Sequence, residues 1–153
     1  MKQWNEVKIG DFIYHYVYLQ SKNIVRKTKY IVTNIYDSKE FSKNSPEGFV
    51  IYASETVKGH EEYYKVVESA NSSDKFVLYC GNKKIPGRIA RISSNNIKSR
   101  FTQVWLTEEN DELADREILY DLRYLVTKAE KELNNRKYIL QKYNGRLINK
   151  YGN

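Results

Sequence analysis

"IGDFIYHYVYL", residues 9–19, packs aromatic and β-branched residues side by side, with His15 alternating with tyrosines. That composition favours a pleated, half-buried strand. "KYIVTNIY" (29–36) has the same character and follows after a polar loop, so the two read as neighbouring strands. Further along, "GFVIYA" (48–53) and "YYKVV" (63–67) are shorter strand candidates. "KFVLYC" (75–80), Gly81-Asn82 and "KKIPGRIARI" (83–92) read as a hairpin with a two-residue turn. Pro86 has no N–H for a ladder, which puts the second strand of that hairpin at an edge or a bulge. "FTQVWL" (101–106) is the last strand. The connections "DSKEFSKNSPEG" (37–48) and "ESANSSD" (68–74) carry loop chemistry. Short strands at this spacing predict a small bent sheet or barrel.

From Asn110 onward the period changes. Leu119, Val126, Leu133, Leu140 and Leu147 recur every seven residues, and Leu122, Ala129, Arg136 and Tyr143 follow three later. This is a heptad seam. A helix over 110–150 would be about 60 Å long at 1.5 Å per residue, longer than a domain of this size is wide. It must therefore leave the body and pair with another helix, or break, with Asn134-Asn135 and Gly145 as the breaking points. The expected fold class is α+β. A β-rich body, 1–107, is followed by a helical C-terminal segment, 108–153, packed on that body as a long helix or helical pair.

The chain has 153 residues and a net charge of +7, unevenly spread. Residues 1–74 net zero. Residues 75–107 hold seven basic side chains and no acid, a charge equal to the whole excess. Residues 108–122 net −6, which suits the positive end of a helix dipole, and residues 123–153 net +6. An acid-free basic block is the electrostatic footprint of polyanion binding. Lys75, Lys83, Lys84, Arg88, Arg91, Lys98 and Arg100 are the candidate phosphate contacts, and Asn95 adds hydrogen-bonding capacity for phosphates or base edges. Lysines on edge strands also guard against aggregation, so a merely solvated surface is the competing reading. The tyrosines, among them Tyr14, Tyr16, Tyr18, Tyr30 and Tyr36, offer stacking faces for unpaired bases if they are exposed and core packing if they are not.

Catalytic signals are weak. His15 and His60 are the only histidines and Cys80 the only cysteine, which matches no zinc-site spacing and allows no intramolecular disulfide. "GHEEYY" (59–64) sets His60 beside Glu61 and Glu62, but adjacent residues point different ways. No glycine-rich phosphate loop or nucleophile elbow is present. The expectation is a non-enzymatic protein without metal or cofactor. With no membrane span and no signal-peptide core, a cytoplasmic location is expected.

"VKIGDFIYHYVY" followed by "RKTKYIVTNIY" resembles the opening of SH3-like barrels of the KOW and Tudor kind, in which a Gly-Asp lead-in precedes the first strand. The resemblance implies a barrel-like body that binds nucleic acid or proteins of the transcription and translation machinery. Small size, a basic patch and a Tyr- and Asn-rich, Ala-poor composition also resemble a phage early protein acting on host transcription or DNA machinery. The expected partner is therefore nucleic acid, DNA or RNA. The alternative is an inhibitor or adaptor docking on an acidic protein surface. A monomer is favoured over a homodimer, because Arg136 and Gly145 interrupt the seam.

Overall fold

The computed structural model describes residues 1–38, 48–69, 76–85, 89–94, 97 and 102–152. Its strands are β1 (Phe12–Leu19), β2 (Ile24–Asp37), β3 (Phe49–Glu55), β4 (Tyr64–Glu68), β5 (Phe76–Cys80), β6 (Lys83–Lys84), β7 (Ile89–Ser93) and β8 (Gln103–Leu106), and one helix, α1 (Asp111–Tyr151), follows. The protein is α+β. A curled five-stranded antiparallel sheet, ordered β7-β3-β2-β1-β8, stands with a three-stranded sheet, β4-β5-β6, ahead of the helix. The curled sheet forms a half-barrel compatible with an SH3-like architecture.

The aromatic stretch at 9–19 becomes an inner strand of this sheet, between β2 and β8. β1 pairs with β2 along its whole length, from Phe12 opposite Ile31 to Leu19 opposite Ile24. Gly10 and Asp11 fix where the strand starts. Gly10 adopts φ +92° and its N–H donates to the Val32 carbonyl at 2.8 Å. The Asp11 carboxylate accepts from the Lys8 N–H at 2.9 Å and from Lys2 Nζ at 2.8 Å. Burial alone would raise the Asp11 pKa, but the bonds from Lys2 and Lys8 outweigh it and hold the carboxyl below its usual value.

Curvature comes from β2. Its register against β3 slips between Val32 and Asn34, leaving Thr33 as a bulge. Such a bulge bends the strand and increases its twist. Thr33 is buried, and its hydroxyl donates to the Tyr52 carbonyl at 3.1 Å, so the polar group is satisfied where the ladder is interrupted. The concave side buries Ile13, Val32, Ile51, Ala53 and Ile92, each at most 1% exposed, with Val7 closing the cluster. On the other side of β1, Tyr16 packs with Val104, Leu106 and Ala114, which seats the start of the helix.

The hairpin predicted at 75–92 forms only in part. β5 and β6 pair around Gly81-Asn82, with Cys80 opposite Lys83. The chain then changes sheets, and β7 pairs with β3, Ile92 opposite Ile51. The changeover falls between β6, which ends at Lys84, and β7, which begins at Ile89; Pro86 lies outside the described residues.

Helix α1 is continuous for 41 residues, passing through Asn134-Asn135 and Gly145, the expected breaks. None of these residues removes a helical hydrogen bond, and each costs only about 0.5–1 kcal/mol relative to alanine. Asn110 caps the start, its side chain accepting from the Leu113 N–H at 3.0 Å. Only Ala114 and Ile118 are buried along its length. Beyond them the seam lies open. Leu119 is 46% exposed, Val126 57%, Leu133 53% and Leu140 59%. No helix among the described residues is long and apolar enough to cross a membrane.

Candidate nucleic-acid interface

Of the residues singled out in the basic block, Lys83, Lys84 and Arg91 are described and all three are exposed. Lys75, Arg88, Asn95, Lys98 and Arg100 lie outside the described residues. The two lysines sit on β6, the outer strand of the small sheet, and Arg91 on β7, the outer strand of the large one. Seven peptide units separate Lys84 from Arg91, so chain length alone keeps their Cα atoms within about 25 Å.

Strand alternation separates Lys83 from Lys84. Lys83 shares a face with Leu78, which is buried, so that face turns inward. Lys84 lies opposite Tyr79, and Tyr79 lies opposite Lys65 on β4. Lys65, Tyr79 and Lys84 therefore form a row across the outward face of the small sheet. Both lysines are exposed and the tyrosine between them is half-buried. Neither Lys65 nor Tyr79 was singled out from the sequence. Lys65 lies outside the acid-free block, and only the β4–β5 register brings it beside Tyr79. The period-two pattern of "YYKVV" and "KFVLYC" held the signal, but pairing those two strands required the fold.

On the large sheet, Arg91 is opposite Tyr52, whose ring meets Tyr36 edge-on at 5.7 Å. Of the tyrosines named as stacking candidates, Tyr16 and Tyr30 are engaged in packing. Tyr16 is buried, its hydroxyl donating to Asp111 Oδ1 at 2.9 Å and accepting from the Asn110 N–H at 3.1 Å. Tyr30 packs 5.0 Å from Trp105, which stacks on His15 at 4.3 Å. The Tyr18 hydroxyl donates to Asn23 at 2.7 Å.

A second cluster of cations lines a cleft of about 590 Å³ that includes Arg26, Lys27, Lys29, Lys58, Glu55 and Glu109. Two of its four cations, Lys27 and Lys29, are paired with carboxylates. Lys27 pairs with Glu109 and, at 3.3 Å, with Asp111, and these carboxylates, Glu109 foremost, push its pKa up. Lys29 lies 3.9 Å from Glu61 and 4.2 Å from the Phe12 ring centroid. Such pairing tethers the helix start to β2 and leaves little net field for a polyanion. Glu61 also accepts from the Gly59 N–H at 2.9 Å, so it closes a turn beside His60. Among the described residues, no three His, Cys, Asp or Glu side chains converge as a metal site would require.

No protein-family model, curated protein or solved structure matches the chain.

Proposed function

We propose that the protein binds single-stranded nucleic acid through the outer face of its small sheet, with the basic segment around residues 75–100 extending the contact. The observation that carries this reading is the Lys65–Tyr79–Lys84 row, an aromatic ring between two exposed cations on a face free of acidic side chains among its register positions. Phosphates would pair with the lysines while a base stacks on the ring, the combination by which strand-tracking surfaces bind without base-specific contacts. Arg91 and the cations at 75, 88, 98 and 100 would neutralise neighbouring phosphates, while Lys83 belongs to the opposite face. The likeness of the Gly10-Asp11 lead-in to KOW and Tudor barrels favours the same class of partner, and action on host transcription or DNA machinery would follow from such binding.

Fluorescence anisotropy with labelled single-stranded RNA and DNA tests the reading. Affinity should fall steeply with salt, and Lys65→Ala or Lys84→Ala should each reduce the log–log salt slope by about 0.7. Tyr79→Ala should weaken binding by about 1–3 kcal/mol with little change in slope. Absence of binding, or affinity indifferent to salt, sinks the proposal. So does a stoichiometric protein partner that survives nuclease and is lost in Lys84→Ala, which would instead mark an adaptor for an acidic protein surface.

A further inference from the structure

The exposed apolar seam of α1 runs from Leu119 to Leu147, within a helical stretch to Tyr151 that is about 50 Å long at 1.5 Å per residue. A single helix of this length carrying an exposed apolar seam is marginal in water, because most helical stability comes from covering such a face. The seam has coiled-coil spacing. Leu119, Val126, Leu133, Leu140 and Leu147 take the a positions, and Leu122, Ala129, Arg136, Tyr143 and Lys150 take d. Arg123, Glu130, Lys137 and Asn144 then fall at e, and Leu125, Glu132, Ile139 and Arg146 at g.

From this pattern we infer that the seam is covered by a second copy of the chain, antiparallel, with the two-fold axis between Asn134 and Asn135. Three independent features select that register. The first is charge. In it Glu130 meets Lys137 of the second copy, and Arg136 lies one position from Glu132 of the second copy, each pair occurring twice by symmetry. Sliding the antiparallel pair one heptad towards the N-terminus sets Glu130 against Glu130, Glu132 against Glu132 and Arg123 against Lys137. Sliding it one heptad the other way gains Glu132 against Arg146 but loses Glu130 against Lys137, sets Lys137 against Lys137 and carries each helix end only to Leu125 of its mate. A parallel in-register pair buries Arg136 against Arg136 in the core.

The second feature is size. Antiparallel layers join a to d, so Ala129 faces Leu140, Val126 faces Tyr143 and Leu122 faces Leu147. Small or medium side chains thus meet larger or equal ones, whereas a parallel pair stacks Ala129 on Ala129 and Tyr143 on Tyr143. The third feature is length. The axis chosen by the charges falls at the midpoint of the helix beyond Ile118, so the end of each helix, Tyr151, reaches Ile118 of its mate. Ile118 is the last helical residue buried against the body. The overlap is therefore complete and stops where the bodies begin. Arg136, which interrupts an apolar seam, becomes a register-setting residue whose stem lies on Leu133 of the mate and whose head reaches Glu132. The two bodies stand at opposite ends of the rod and present their outer sheet faces twice.

Light scattering on the intact protein should give twice the 18.2 kDa chain mass at micromolar concentration. Glu130→Lys and Lys137→Glu should each raise the dissociation constant about tenfold, and the double reversal should restore it. A parallel dimer would place Glu130 against Leu125, making Glu130→Lys silent and coupling Lys137 to Glu132 instead. Leu133→Asp should yield monomers whose β body keeps its near-ultraviolet signal, since Leu133 touches none of the body's core. A species of 18.2 kDa at submillimolar concentration overturns the inference, and so does a dimer indifferent to Glu130→Lys.

Discussion

Tyr16→Phe is the sharpest test of how the helix is fixed to the sheet. The ring volume is kept, so no cavity opens, and only the hydroxyl is lost. That oxygen belongs to a residue 2% exposed, donates to the Asp111 carboxylate at 2.9 Å and accepts from the Asn110 N–H at 3.1 Å. A hydrogen bond to a charged group contributes about 1.5–3 kcal/mol, and the Asn110 N–H loses its acceptor at the helix cap, so a loss of about 2 kcal/mol is expected. For a chain of this size that lowers the melting temperature by about 4–8 °C. Urea unfolding followed by fluorescence of Trp4 and Trp105 measures it. Tyr18→Phe is the control. Its hydroxyl bonds Asn23 at the exposed end of the β1–β2 hairpin and should matter by less than about 0.5 kcal/mol. Acidity adds a second readout. The Tyr16 hydroxyl, and after it Lys27, holds the Asp111 pKa below its usual value. A lowered folded pKa contributes stability that is present above the unfolded value and lost as pH falls through the folded one. The gap between wild type and variant should therefore narrow below about pH 4. In alkali, burial, and then Asp111, push the Tyr16 phenol up to about 12. A raised pKa contributes stability present below about pH 10 and lost as pH climbs toward 12, a loss the variant should not share. A variant within about 0.5 kcal/mol of wild type at neutral pH would refute the anchoring role.

Gly10→Ala should destabilise by about 1–2 kcal/mol through backbone strain alone, since φ is +92° and no atom lies within 4 Å of an added Cβ. An unchanged melting temperature would show that the Gly10-Asp11 turn does not set the start of β1. His15 should titrate below its usual 6.5 in proton NMR, because burial lowers it more than the Gln103 hydrogen bond raises it. Its contribution to stability is present above 6.5 and lost as pH falls from there through the folded midpoint. A midpoint at or above 6.5 would contradict its stacked position on Trp105.

The candidate site was legible only in outline. Lys83, Lys84 and Arg91 could be named from the absence of acid around them, a property of the chain itself. Their grouping could not. Lys84 belongs with Lys65 because both flank Tyr79 across two ladders, and Lys83 is turned the other way by one residue of alternation. The tyrosines show the same limit. Composition marked Tyr16 and Tyr30 as stacking or packing residues, and only their places on a curled sheet made them packing residues.

By itself the sequence determined the locations of most strands, the helix with its acidic first turn, and the seven-residue seam, because these depend on local periodicity and on contacts a few residues apart. Tertiary structure decided the rest. It split 83–92 between two sheets, placed a bulge at Thr33 to curl the larger one, and carried the helix past Asn134-Asn135 and Gly145 without a break. It also left the seam off the sheet. Ala114 and Leu113 pack beside β1 and β8, and the seam from Leu119 onward is not covered by the described sheets. Periodicity states which residues need burial. Which surface supplies it is a matter of where the strands run out, and that is fixed only when the whole chain is folded.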